Sequence, residues 1–446
     1  MKRIAVIGSG VSGLGAAWAL SRTEDVTVFE AQARAGGHAN TRDIVCDGRT
    51  IGVDTGFLVY NEMNYPHLVR LLDHLGVETE PSDMSFAVSM DAGRLEYRGS
   101  LAGMFAQKRN ILRPRFWSMI RDTLRFFDEA PQWLSTVPVP DISLGTYLAE
   151  NRYGRPFIED HLVPMAAAIW SCPDQEVLDF PASSFLTFLS NHGLLRLKDR
   201  PQWRTVRGGS RHYVQSIARS LGDRLRLGTP VRAICRDLTG VHVTTDMGTE
   251  RFDELVMATH ADQAMRILGH EASSEEREIL GSVRYSRNDA WLHCDPALMP
   301  SRRKCWSSWN YIGQRRTSGH RNRDVSVTYW LNRLQNLAGP DVFVSLNPVE
   351  APAPDKVFER ILYDHPIFDA AACAAQERIR TLQGVRNTWY CGSYLGYGFH
   401  EDGLESGFAV ADSLGAPVPW RDEVVPASPA DGNARPDVSA TMPVAA

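Results

Sequence analysis

Gly8, Gly10 and Gly13 stand in G-x-G-x-x-G spacing, and Glu30 closes a second β-branched run a short helix later, in "IAVIGSGVSGLGAAWALSRTEDVTVFE". Glycines so placed can hold a diphosphate. The first permits a tight turn out of a strand, the second lets backbone approach the phosphates, and the third lets helix and strand pack closely. Val11 and Ser12 would open the helix, turning free N–H groups and the positive end of its dipole toward the anion. Glu30, followed by Ala31, can accept both hydroxyls of an adenosine ribose, which favours an unphosphorylated ribose over a 2′-phosphate. The predicted chemistry is dinucleotide binding by a strand, a helix and a second strand.

The far end of the chain carries a matching concentration of backbone freedom. "CGSYLGYGFHEDGLESG", residues 391–407, holds Gly392, Gly396, Gly398, Gly403 and Gly407 among aromatic residues, His400 and Glu401. A glycine-rich turn entering a helix near Asp402 can run close to a flat, bulky ligand.

Composition narrows the classes. With 446 residues, 43% hydrophobic and 23% charged, the chain has the make-up of an ordinary globular protein of two or three domains. A net charge of −5 argues against nucleic acid as the main partner. No apolar run reaches bilayer-spanning length, so a cytoplasmic protein is expected. Seven cysteines without a C-x-x-C pair imply neither a disulfide framework nor a zinc site, and no metal is expected.

"EAQARAGGHANT" (30–41) sets Gly36, Gly37 and His38 directly after the ribose acid, and "TIGVDTGFLVY" (50–60) adds Gly56, Phe57 and Tyr60. With the C-terminal stretch, this succession resembles the flavin amine oxidase and phytoene desaturase superfamily. The resemblance implies FAD as cofactor. Gly36 and Gly37 would lie along its pyrophosphate, and Gly392, Gly403 and Leu404 would lie by the ribityl chain and flavin ring. His38 departs from the arginine usual there, which leaves an imidazole free for another role. "RLRLGTPVRAICRDLTGVHVTTDMGTERFDELVMATHADQA" (224–264) reads as an antiparallel meander ending in a buried strand, and in the family a residue equivalent to Val231 touches the adenine through its backbone.

The expected fold is mixed α/β: a discontinuous Rossmann-like FAD-binding domain (1–75, 200–275 and 385–415) with an inserted substrate domain of antiparallel sheet plus helices (76–199 and 276–384). "NDAWLHCD", "KCWSSWNYIG", "DVSVTYWLNRL" and "DVFVSLNP" read as successive antiparallel strands. The tail 421–446, rich in Pro, Ala and small polar residues, is predicted to be disordered.

"HLVPMAAAIWS", "VTYWLNRLQNL" and "FVSLNP" are similar to a bacterial family of NAD/FAD-binding flavoproteins whose genes often neighbour those of cyclopropane-fatty-acid-synthase-like methyltransferases. One branch of that neighbourhood makes furan fatty acids, a flavoprotein desaturating the methylated chain. The resemblance therefore implies a fatty acyl lipid substrate and a methyltransferase partner. Between Ser100 and Phe127, six basic residues face one acid, Asp122, among Phe105, Phe116, Trp117, Phe126 and Phe127. Such a segment fits either an anionic membrane surface or a helical lobe packed on the core.

Desaturation asks for apolar walls and one weak base near the flavin. The candidates by motif position are His400, Glu401, Tyr394, His38 and Tyr60, although Glu401 could instead cap a helix. The rival readings are an amine oxidase, which in this superfamily uses an aromatic cage and usually a lysine near flavin N5, a flavin isomerase without net redox change, and a non-catalytic flavoprotein partner of a lipid methyltransferase.

Overall fold

The computed structural model describes residues 1–46, 48–170, 177–196, 198–315 and 323–421. The Pro- and Ala-rich tail falls outside the described residues, apart from Arg421.

A parallel five-stranded sheet forms the nucleotide-binding half. Its order is Leu225–Arg226, Asp25–Phe29, Arg3–Ile7, Glu254–Met257, Thr388–Tyr390, so it draws strands from three separated parts of the chain. These strands read as near-continuous apolar runs because both faces are covered. Ile4, Val6, Val28 and Val256 pack beneath the helix Val11–Leu20, while Ala5, Ile7, Leu255 and Met257 join the cluster on the other face. The meander 231–252 is present as three antiparallel strands, Val231–Asp237, Gly240–Thr245 and Gly248–Phe252.

A seven-stranded sheet forms the second half. The four expected strands lie in it, but not side by side in chain order. Phe343–Leu346 sits between Arg284–His293 and Arg323–Trp330, and Trp309–Arg315 lies beyond the latter. Two features escaped the sequence reading. Phe86–Met90 joins Trp309–Arg315 in parallel, and Val357–Ile367 forms the edge strand beside Arg284–His293. Edge strands alternate exposed and half-covered positions, so their pattern is weak. The helices, including the long Pro114–Leu134, enclose one apolar cluster with the sheet residues Val88, Met90 and Tyr311.

Candidate functional site

The strand Arg3–Ile7 runs into Gly8, whose φ of +102° is open to glycine and whose added Cβ would lie 2.6 Å from the Ala258 carbonyl oxygen. A Cβ on Gly13 would collide with the Gly8 carbonyl, while one on Gly10 would meet nothing within 4 Å. Gly10 is therefore bare toward open space, and the helix Val11–Leu20 begins there with no side chain capping its first N–H groups. Glu30 is held in place by its neighbours: one carboxylate oxygen accepts from Ser9 N (2.9 Å) and Ser9 Oγ (2.6 Å), the other from Gln32 N (2.8 Å). A carboxylate has about four acceptor positions, so the second oxygen keeps capacity for a ribose hydroxyl. Thr229 N donates to the Glu30 carbonyl (2.8 Å) and Gly228 N to that of Gln32 (2.8 Å), which brings the start of the Val231 strand against the Glu30–Ala31 turn. The second glycine pair closes over the first loop: Gly36 N donates to Ser9 O (2.9 Å), and a Cβ on Gly37 would lie 3.0 Å from Gly10 Cα.

The C-terminal stretch packs onto the same helix. Gly392 N donates to Ser406 Oγ (3.0 Å), and the helix His400–Ser413 follows the turn. An added Cβ on Gly403 would lie 2.8 Å from Val11 Cγ1, one on Gly407 would collide with the Ser12 carbonyl, and one on Gly15 would lie 2.6 Å from Leu404 Cδ1. Backbone freedom near the end of the chain thus serves two purposes. It lets two helices meet almost backbone to backbone, and it sets the N-terminus of the second helix beside the open space at Gly10.

A wall of histidines completes this space. His38, His365 and His400 lie deep in the protein, yet each keeps part of its surface open. The His38 ring is 4.8 Å from Tyr363, 5.5 Å from His365 and 6.0 Å from His260, and His260 stacks on Tyr285 at 4.6 Å. The Asn288 amide nitrogen lies 3.1 Å from His365 Nδ1. Burial disfavours the charged imidazolium throughout. It pushes His365 down to about 4 and His400 to about 3, and it lowers His260; in His38, burial and then the neighbouring histidines hold the pKa well below the usual range. The wall is neutral at neutral pH.

The predicted catalytic side chains take different places. His38 faces the space, and its Nε2 is a buried nitrogen without a hydrogen-bond partner among the described residues. His400 stacks on Phe57 (3.8 Å, 13°), and a Cβ on Gly56 would collide with the His38 carbonyl, so these four residues form one corner. Glu401 turns away: its two carboxylate oxygens accept from His67 N (2.7 Å) and Leu68 N (3.0 Å), capping the helix Pro66–His74 rather than the helix it belongs to. Tyr60 is buried against Tyr65 in the nucleotide-domain core. Tyr394 packs with Met257 and Tyr390 under the opposite face of the sheet.

Ser9, His260, Asn288, Tyr363, His365 and Tyr213 escaped the sequence reading. Each stands on an ordinary strand, turn or helix without a local pattern. The doublet of His260 after the buried strand and His365 in "YDHP" carries meaning only once folding brings both to His38.

An aromatic run leads away from the corner. Phe399 stacks on Phe188 (5.0 Å, 19°), which stacks on His192 (4.0 Å). His192 then lines a cavity of about 190 Å³ with Met84, Leu194, Arg200 and Trp203.

The cradle fits a flavin dinucleotide: Gly10 is open, the ribose acid is anchored, the helix start is uncapped, and an internal space lies beyond with an unpartnered imidazole nitrogen. The comparisons agree. The family described as "Flavin containing amine oxidoreductase" matches residues 11–279. AofH of Mycobacterium tuberculosis, a protein named for flavin-containing monoamine oxidases, is 29% identical over 268 residues, covering 57% of this chain and 56% of its own. An L-amino acid dehydrogenase of Synechocystis is 26% identical over 274 residues, 59% of this chain and 56% of its own. The chain thus matches little more than half the length of these relatives. Among solved structures, putrescine oxidase bound to putrescine has a TM-score of 0.67 at 16% identity, over 93% of this chain and 99% of that one. A fatty acid isomerase from P. acnes has a TM-score of 0.63 at 16% identity, over 93% and 98%. At such identities the likeness is one of fold. Glycine turns, ribose acid, helix pair and family match converge, and the chain belongs to the flavin containing amine oxidoreductase family, with FAD as the cofactor its cradle fits.

Proposed function

We propose that this protein is an FAD-dependent oxidoreductase that dehydrogenates an apolar lipid, specifically a methylated unsaturated fatty acyl chain. One observation carries the reading: the walls around the flavin space are neutral imidazoles and aromatic rings. All five lysines of the chain lie elsewhere. Lys108, Lys198 and Lys304 are exposed, Lys2 pairs with Glu254 (2.8 Å), and Lys356 pairs with Asp295 (3.0 Å). The lysine usual near N5 in amine oxidases therefore has no counterpart in this wall. Such surroundings suit a C–H bond in a hydrocarbon chain.

The chain's residues divide the work. Gly8, Gly10, Gly36 and Gly37 with the first N–H groups of the helix Val11–Leu20 would hold the pyrophosphate. Glu30 would hold the ribose, and the N-terminus of the helix His400–Ser413 would face the flavin's pyrimidine oxygens. Bound FAD supplies the two-electron acceptor. Loss of two hydrogens also releases a proton, and His38 Nε2, neutral and without a partner among the described residues, would take it. Phe399, Phe188 and Tyr397 would keep water from the reacting carbon. The methyltransferase association belongs to the same reading, as the source of the methylated chain.

The names of the relatives favour a second reading, oxidation of an amine. Anaerobic mixing decides between them, following oxidised-flavin absorbance while mass spectrometry follows the lipids. Bleaching with lipid extracts that contain a methylated unsaturated chain, with loss of two hydrogens from it, is the expected result. Bleaching by amines alone would establish the amine oxidase. No bleaching with either, while lipids rearrange or stay unchanged, would point to an isomerase or a methyltransferase scaffold.

A further inference from the structure

Residues 101–117 present a surface that the flavin site does not explain. Leu101 and Leu112 are 89% and 84% exposed, and Ile111 and Trp117 are 48% and 47% exposed. They form one patch. The Trp117 indole donates to the Ile111 carbonyl (2.8 Å) and its ring lies 5.7 Å from Phe105, while Ser100 Oγ caps the short helix Leu101–Met104 (3.1 Å to Gly103 N). Scattered exposed apolar residues are common, but four within seventeen positions of one short segment are a feature.

Charges rim this patch without counter-charges. Lys108 is exposed and makes no ion pair among the described residues. Arg109 donates to the carbonyls of Gly93 (3.1 Å) and Arg94 (2.5 Å). Arg113 donates to the Arg94 carbonyl (2.9 Å) and Asn110 Oδ1 (3.1 Å). Nearby carboxylates are committed to other cations: Asp91 to Arg94 (2.9 Å), Glu96 to Arg302 (2.7 Å), Asp122 to Arg121 (3.2 Å), and Glu159 and Asp160 to Arg115 (2.9 and 2.6 Å). Arg125 pairs with Glu129 (3.2 Å), so Arg115, Arg121 and Arg125 drop out of the basic set expected from the sequence. Partial desolvation and the charges of Arg109, Arg94 and Arg302 hold the Arg113 guanidinium below its usual range. Cations crowded in this way gain from an anion supplied from outside.

We propose that this patch docks on an anionic lipid bilayer. Leu101, Ile111, Leu112 and Trp117 would enter the headgroup–acyl boundary, and Lys108, Arg109 and Arg113 would meet lipid phosphates. The aliphatic ends of Leu101 and Leu112 have no use against a nucleic acid, where stacking rings would be needed. The contact is peripheral, since among the described residues no helix is long and apolar enough to cross a membrane. The inner face of the same segment leads toward the flavin: Phe116, Met119 and Phe126 share one apolar cluster with Phe188, against which Tyr397 and Phe399 pack. The docking itself does not rest on the substrate proposed above.

Flotation of the full-length flavoprotein with phosphatidylcholine vesicles, with and without phosphatidylglycerol, tests this at physiological ionic strength. The protein should float with the anionic vesicles only. The triple variant Lys108→Gln, Arg109→Gln, Arg113→Gln should lose about a hundredfold in affinity, and Leu101→Ser with Leu112→Ser should also release it. Both variants change exposed or half-buried side chains and should keep wild-type flavin absorbance and melting temperature, which separates lost docking from lost folding. Failure to float with anionic vesicles, flotation unchanged by either variant, or charge-dependent binding to RNA in place of vesicles would overturn the proposal. A docked protein that bleaches only with amines would leave the docking standing and remove the lipid substrate.

Discussion

His400 Nε2 lies 2.6 Å from the hydroxyl of Tyr213, a fully buried residue of the helix Arg211–Leu221. That contact occupies the ring nitrogen that would otherwise be available to a substrate, whereas His38 Nε2 has no protein partner among the described residues. His38→Ala should therefore retain FAD yet slow reduction of the flavin by substrate roughly 10²- to 10⁴-fold, the usual contribution of a positioned base. His400→Ala should slow it much less. Stopped-flow absorbance on the two variants checks this, and equal rates for His38→Ala and wild type would remove His38 from the chemistry.

Glu30 makes three anchoring hydrogen bonds, two to Ser9 and one to Gln32 N. Glu30→Ala removes both the anchor and the charged acceptor for the ribose, a loss of about 1.5–3 kcal/mol in FAD binding. Fluorescence titration of the stripped protein should show affinity falling by roughly one to two orders of magnitude.

Glu401 bonds two N–H groups at the start of the helix Pro66–His74. Glu401→Ala should cost about 1–2 kcal/mol of folding stability, the worth of a cap, with little effect on the rate of flavin reduction once folded. Urea denaturation measures the first effect and stopped-flow the second. A large rate loss with unchanged stability would return Glu401 to the catalytic set.

His293 is fully buried between two partners: Asp295 N donates to its Nδ1 (3.0 Å), and its Nε2 lies 2.8 Å from Ser345 Oγ. Burial pushes its pKa down to about 4, and that of His365 likewise. With an unfolded pKa of about 6.5, the folded state holds fewer protons between those values. Stability is therefore fully present above about pH 6.5 and falls as the pH drops toward 4, by up to about 1.4 kcal/mol per pH unit for each such histidine. Urea midpoints measured across that range should decline toward acid, and His293→Gln should flatten the slope.

The nucleotide cradle was legible in the sequence because its parts obey local rules. A strand must end, a turn needs positive φ at Gly8, and a helix must start bare at Gly10, so residue type and spacing alone suffice. The meander was legible for the same reason, its turns falling at Gly240 and Gly248. The edge strand Val357–Ile367 and the parallel pairing of Phe86–Met90 were not, since pairing partners far apart in the chain leave no trace in either segment. Nor could sequence show that Glu401 caps a helix more than three hundred residues away, or that Arg115 is spoken for by Asp160 while Arg109 and Arg113 are not.

By itself, then, the sequence determined the glycine turns, the bare helix start and the acid at the end of the second strand, because these are matters of local backbone geometry. The tertiary structure decided the character of the site. Only folding gathers His38, His260, His365 and His400, strips their charge by burial, and leaves His38 Nε2 and His260 Nδ1 without a partner among the described residues while a tyrosine claims His400 Nε2.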